Sequence, residues 1–253
     1  MSVWRKVAVR DIRPHPGPVP DIEPTAVVGG KSGTLRAAIF GVNDGLVSNL
    51  ALIMAMAGAG VDNRVVVLAG VAGLLAGAFS MAAGEYVSMR VQKEVFERLI
   101  HVEAHEIGID PEGETRELSH LFKEKGIPDD IALEAARSLM ADPETALETH
   151  AKEELGLDPE ELGSPFGAAT SSFLTFGTGA LVPLVPYFFT EGATAAWIAV
   201  SLSLSSLFGV GASMTVLTGR PWALSGTRQL LIGSSAALVT YLVGGLFGVG
   251  ATG

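Results

Sequence analysis

The sequence predicts an all-α integral membrane protein: five transmembrane helices, with a cytoplasmic three-helix subdomain inserted between the second and the third. Three observations lead there. Mean hydropathy is +0.41 over 253 residues, and 17% of residues are charged where a soluble chain carries about 25%. Five apolar runs are each long enough to cross a bilayer. The acidity is concentrated: residues 90–163 hold 20 of the 27 acidic residues against 8 of the 17 basic ones, a local net of −12, while the chain as a whole carries −10.

Residues 1–33 read as a disordered cytoplasmic tail. "RPHPGPVPDIEP" is too rich in proline for a helix or strand interior, and "GGKSG" is a flexible joint. No apolar stretch follows Arg5 and Lys6, so a cleaved signal is not expected. The apolar spans fall at about 36–58, 65–88, 166–189, 193–217 and 229–251. The first two spans occupy 34–94, the acidic insert 95–163, and the last three spans 164–253. At 1.5 Å rise per residue each span reaches across about 30 Å of hydrocarbon.

Sixteen of the 17 basic residues lie in the tail up to Arg36, in the insert, or in the link "GRPWALSGTR"; only Arg64 lies in the opposite connections. By the positive-inside rule the tail, insert and last link face the cytoplasm and the C-terminus faces away. Trp222 and the Tyr187-Phe188-Phe189 cluster sit at span ends, where aromatic belts form. Glycine is frequent, with 31 residues. Gly70, Gly77 and Gly84 recur every seventh position, and Gly73/Gly77 and Gly244/Gly248 make GxxxG pairs suited to close helix packing within a bundle or, for some, across a dimer. Pro183 and Pro186 should loosen the far end of the third span, and the serines of the third and fourth spans should bond back to helix carbonyls.

The insert has a helical pattern throughout. "SMRVQKEVFERLIHVEAHE" continues the second span without a breaker. Asp110-Pro111 starts a helix that Gly126 stops; "IPDDIALEAARSLM" and "DPETALETHAKEELG" follow, the last closed by Gly156.

Chemistry-bearing residues are few. "GVNDGLVSNL" places Asn43 and Asp44 inside the first span, Asp44 roughly 12 Å from its start. A charge there costs about 2.5–3.5 kcal/mol on insertion scales, so it needs a reason. Met81 and Glu85, four apart on the second span, share a helix face. Carboxylate, amide and thioether together suit a borderline cation such as Fe²⁺ better than Mg²⁺ or Ca²⁺. In the insert Glu103/Glu106 and Glu114/Glu117 are i, i+3 pairs, and His150 and Glu154 are four apart. Carboxylates projecting from facing helices can hold iron or manganese, although glutamates on a solvated face produce the same spacing. His101 and His105 read as exposed bystanders.

The chain has no cysteine, hence no disulfide or thiolate site, and shows no catalytic nucleophile arrangement or phosphate loop, so no enzyme and no permanent cofactor are expected. The acidic balance argues against nucleic acid as a partner.

"RAAIFGVNDGLVSNLALI", "AGAFSMAAGEYVS" and "PFGAATSSFLTFGTGALVPLVP" closely resemble the vacuolar iron transporter family, which includes cross-complementer-of-calcium and nodulin-like proteins. The match runs from about Leu35 to Gly250. The resemblance implies five transmembrane helices, a cytoplasmic metal-binding domain between the second and third, a homodimer, and export of Fe²⁺ and often Mn²⁺ from the cytosol in exchange for protons. It implies a path lined by Asp44 and Met81, and metal capture by Glu103, Glu106, Glu114, Glu117 and Glu154; Glu85, near the cytoplasmic end of the second span, is read from its position as gating or shuttling protons at the entry. Some members carry methionines where this chain has His150-Ala151. The membrane would be the plasma membrane in a prokaryote, or a vacuolar or other endomembrane in a eukaryote. Two other readings are a membrane-anchored metal buffer or sensor, and a di-iron enzyme; the latter is disfavoured because neither glutamate pair is of the ExxH type.

Overall fold

The computed structural model describes residues 30–156, 163–215 and 220–250, and every regular element among them is a helix. In chain order these are α1 (Gly30–Gly58), α2 (Asn63–Ile109), α3 (Pro111–Glu124), α4 (Asp129–Met140), α5 (Pro143–Glu153), α6 (Pro165–Leu184), a 3-10 turn (Val185–Phe188), α7 (Gly192–Ser213) and α8 (Trp222–Gly250). Five helical segments are long and apolar enough to cross a membrane: Ala37–Gly58, Asn63–Ile109, Pro165–Phe188, Gly192–Ser213 and Trp222–Gly248. Most of the expected tail lies outside the described residues. Its end, however, is helical, because α1 starts at Gly30.

One boundary differs from expectation. Hydropathy ends a span at the first charge, whereas the backbone hydrogen-bond ladder is indifferent to charge. So α8 begins at Trp222, inside the expected link, and carries Arg228 and Gln229 within its helix. As the pattern without a breaker predicts, α2 passes from apolar to charged sequence unbroken over 47 residues.

Contacts divide the chain into two compact units, one built from Ser32–Val87 and Ser164–Gly253, the other from Ser88–Gly163. In the first, buried layers stack along the helices: Ala78 of α2 with Phe176 and Ala180 of α6; Leu50 and Met54 of α1 with Ala237 of α8; and Ile53, Val66, Leu184, Tyr187, Ala195 and Ala199. Outward residues such as Leu68, Phe79, Leu231, Leu246 and Phe247 are exposed, the apolar coat that hydrocarbon requires. Phe189 and Trp222 are exposed at helix ends as an aromatic belt would have them, but Tyr187 is not: it is 3% exposed and belongs to the core. The chain turns there, since α6 gives way to the 3-10 turn around Pro186, and this swings the ring inward. Ser205 bonds back to Ser201 O at 2.8 Å and Thr175 to Ser171 O at 2.7 Å, but the buried hydroxyls of Ser172 and Ser203 have no hydrogen-bond partner among the described residues.

The glycines bring backbones together within the chain. A Cβ on Gly244 would strike the carbonyl of Ala55 on α1, one on Gly248 that of Ala59 just after α1, and one on Gly77 the Phe176 ring. The GxxxG pairs are therefore used in intramolecular packing, while Gly84 has nothing within 4 Å. Across α1 and α6, a Cβ on Gly179 would meet the Val42 carbonyl and come to 3.1 Å from Leu46 N, whereas Gly177 faces open space. Gly179→Ala is expected to destabilise the protein by about 1–3 kcal/mol, the usual cost of overpacking. Gly177→Ala should melt as wild type; thermal melting of the detergent-solubilised protein checks the pair.

In the second unit, Asp110 Oδ1 accepts from Gly113 N at 2.9 Å and Asp142 Oδ2 from Thr145 N at 3.0 Å, so two of the insert's carboxylates are N-caps. Gly126 (φ +90°) and Gly156 (φ +63°) follow α3 and α5 in the left-handed conformation that glycine tolerates best. Phe96 and Ile100 of α2 pack on Leu147 and Ala151 of α5, and Leu118 and Phe122 of α3 on Ala132 and Ala136 of α4.

Candidate metal sites

Within the first unit, α1, α2 and α6 line an open-sided cavity of about 250 Å³. Asp44, Ser48 and Asn49 line it from α1, Gly73, Gly77, Ser80 and Met81 from α2, and Phe176 from α6. The two residues that the motifs single out, a carboxylate and a thioether on different helices, thus face the same space. Gly73 and Gly77 let the other walls come close to α2, since a Cβ on Gly73 would strike Leu52 and one on Gly77 the Phe176 ring. Asn43 and Glu85 do not line it. Asn43 is one residue from Asp44, about 100° around the helix. Glu85 is one turn beyond Met81 and half-buried.

Asn49 also lines the cavity, although sequence reasoning passed over it. It is 2% exposed and sits among buried Leu46, Leu50 and Ile53 at helical spacing. A polar residue on that apolar stripe was the available signal.

The second unit holds a different constellation. Glu103 (α2), Glu114 (α3), His150 (α5) and Glu154, which caps α5, each offer a ligand atom, and these atoms all lie within 4.8 Å of one another. His150 Nδ1 is 3.1 Å from Glu103 Oε1, 3.4 Å from Glu154 Oε2 and 3.7 Å from Glu114 Oε2. Helix periodicity explains the convergence. Phe96, Ile100 and Glu103 share a face of α2, as do Leu147, His150, Ala151 and Glu154 on α5, and Glu114 is one turn before buried Leu118. Each polar group extends an apolar stripe by one turn, so packing the stripes brings the polar ends together.

Burial here is extreme for such groups: His150 is 0% and Glu103 3% exposed. Desolvation, reinforced by the Glu154 carboxylate, pushes Glu103 up to about 8. Desolvation also raises Glu106 and Glu114 above the ordinary carboxylate value. Burial alone would lower His150, but the hydrogen bond to Glu154 and the charges of Glu103 and Glu114 outweigh it and hold the imidazole above its usual value. The neutral-pH cluster therefore retains protons that a cation would displace.

Of the five glutamates singled out, Glu103, Glu114 and Glu154 converge. Glu106 and Glu117 are exposed and lie outside the four-residue group, though their charges reach it. His150, read from the sequence as a possible modifier of the site, is at its centre instead. Its three-residue spacing from buried Leu147 was the signal. Three carboxylates and an imidazole form a hard-to-borderline donor set that suits first-row divalent cations better than Mg²⁺ or Ca²⁺.

Residues 35–245 match the model of the VIT family. The chain belongs to that family. The VIT-family chain is 37% identical over 213 residues to a vacuolar iron transporter of Acanthamoeba castellanii, covering 84% of this chain and 74% of that one. It is 31% identical over 208 residues to vacuolar iron transporter 1 of Tulipa gesneriana, covering 82% and 84%. To vacuolar iron transporter homolog 1 of Oryza sativa subsp. japonica it is 33% identical over 216 residues, covering 85% and 74%. These relatives are named as transporters, not enzymes. Their likeness and the five apolar helices make the VIT-family chain an integral membrane protein.

Proposed function

We propose that this chain carries Fe²⁺, Mn²⁺ or both out of the cytosol in exchange for protons, for metal homeostasis or detoxification. The observation that carries the reading is the cavity that Asp44 and Met81 share. A carboxylate among apolar helices needs a partner, and a cavity with an anionic oxygen and a soft sulfur offers a dication partial replacement of its water shell. Protons compete with metal for the same oxygens, which gives exchange a physical basis.

The cluster of Glu103, Glu114, His150 and Glu154 captures cytosolic metal, with Glu106 and Glu117 adding negative potential at its rim. Asn43 supports the path beside Asp44, and Glu85 serves at its entry. The distribution of Lys and Arg supports a cytoplasmic N-terminus and insert. The working form is a homodimer, as the family resemblance implies.

Reconstituted protein under an imposed pH gradient tests this. Fe²⁺ and Mn²⁺ flux should follow the gradient and cease when it is collapsed; flux indifferent to the gradient would remove the exchange step. Competition with Co²⁺ and Zn²⁺ in the same assay ranks the cargo. The self-contained cluster also favours a second reading, a membrane-anchored metal buffer or sensor. That reading requires metal binding without any flux.

A further inference from the structure

We infer that Asn49 supplies a neutral oxygen ligand to the cation in the Asp44–Met81 cavity; this rests on the transport reading above. The Asn49 amide nitrogen donates to the Ala180 main-chain oxygen at 2.6 Å. A carbonyl can only accept, so this bond fixes which prong of the amide is nitrogen and leaves Oδ1 as the other. Oδ1 is buried and has no hydrogen-bond partner, an expensive state for an amide oxygen.

Its surroundings explain what it awaits. Asn49 lines the cavity, and no Gly73 side chain stands over Oδ1; the spot where a Cβ would sit, 3.0 Å from Oδ1, is crowded only by the flexible end of Leu52, with Cδ2 at 2.5 Å, which gives way for a cation to reach the buried oxygen. Oδ1 accepts and cannot donate, so its partner must be a cation or a water. With the Asp44 carboxylate and the Met81 thioether it completes a set of two oxygens and one sulfur that adds no second charge inside the membrane. The bond to Ala180 makes the arrangement rigid, as a selective site needs.

The test is a ratio. Mn²⁺, a hard cation, and Cd²⁺, a soft one, are transported separately by full-length protein in proteoliposomes. Removing a hard oxygen while keeping the thioether should raise the KM for Mn²⁺ about tenfold and raise the Cd²⁺/Mn²⁺ preference by a similar factor in Asn49→Ala. Loss of a purely structural link to Ala180 would lower both fluxes together. Gly73→Ala, which covers Oδ1 but keeps the Ala180 bond, should shift the ratio the same way, and it decides the matter if Asn49→Ala does not fold. A ratio within about twofold of wild type in the folded variant overturns the inference and leaves Oδ1 holding only water. Asp44→Ala separates the two levels: full flux there sinks the transport reading, whereas lost flux with an unchanged Asn49→Ala ratio sinks only the present one.

Discussion

Asp44→Asn is expected to abolish metal flux while leaving the protein folded. The substitution keeps the size and shape of the side chain, exchanges one accepting oxygen for a donating NH2 and removes the charge, so packing between α1, α2 and α6 has little reason to change. What is lost is the one anionic oxygen among the cavity's lining residues. Supporting groups one layer away from a metal cost about 10–100-fold when removed, so the ligand itself should cost at least about 100-fold in Mn²⁺ uptake. Met81→Leu keeps volume and apolarity, so its loss of flux should be smaller and greatest for the softer cations. Uptake into proteoliposomes, with melting curves for each variant, checks both. Wild-type flux through Asp44→Asn would end the proposed pathway.

Glu103→Gln and His150→Ala should each weaken Mn²⁺ binding at the acidic cluster by about 10–100-fold, measured by the loss of free-ion Mn²⁺ signal in titrations of the full-length protein. The same site makes affinity depend on pH. Glu103 is held up to about 8, so Mn²⁺ must displace its proton at neutral pH. Affinity should therefore climb as pH rises toward 8 and level off above it. The metal-free fold should respond in the opposite direction. A carboxyl whose folded pKa is raised stabilises the fold when protonated; that contribution is whole below the ordinary carboxylate range and disappears as pH rises through about 8. His150, also raised, acts with the same sign, its contribution being lost as pH rises through its raised value. Amide exchange in α3 and α5, corrected for intrinsic rates, should thus be faster at pH 8.5 than at pH 6 without metal, and bound Mn²⁺ should erase the difference. Exchange that slows with pH in the apo protein would contradict the geometry of the cluster.

Much of this architecture is written in local signals. Asp110-Pro111 and Asp142-Pro143 mark helix starts because the side chain that caps and the ring that fixes φ act within one turn. The five spans are readable because a bilayer sets a length that composition alone must meet. Asp44 stands out for the same reason, as a charge in otherwise apolar surroundings, whereas Met81, itself apolar, is marked only by its place one turn before Glu85 and by the family motif.

What stayed hidden depends on which face of a helix ends up inside. Nothing local distinguishes Glu103 from Glu106, yet the first is buried with Phe96 and Ile100 and the second is exposed. The sequence pairs His150 only with the glutamate four residues on, and only the packing of α5 on α2 within the second unit brings it to the centre of three carboxylates. Asn49 lies five residues from Asp44 in the very motif that drew attention, but its importance comes from Ala180, 131 positions away. Tyr187 was misread for the same reason: a ring at a span end belongs to the interface unless a proline turn directs it inward.

The most direct test is anomalous scattering from crystals of the full-length protein soaked in Mn²⁺. A peak within coordination distance of the Asp44 carboxylate and on the Met81 side of the cavity is the expected result. A fully loaded Glu103–His150 cluster with no ion at Asp44, at Mn²⁺ concentrations that saturate transport, would contradict the role given to the membrane cavity.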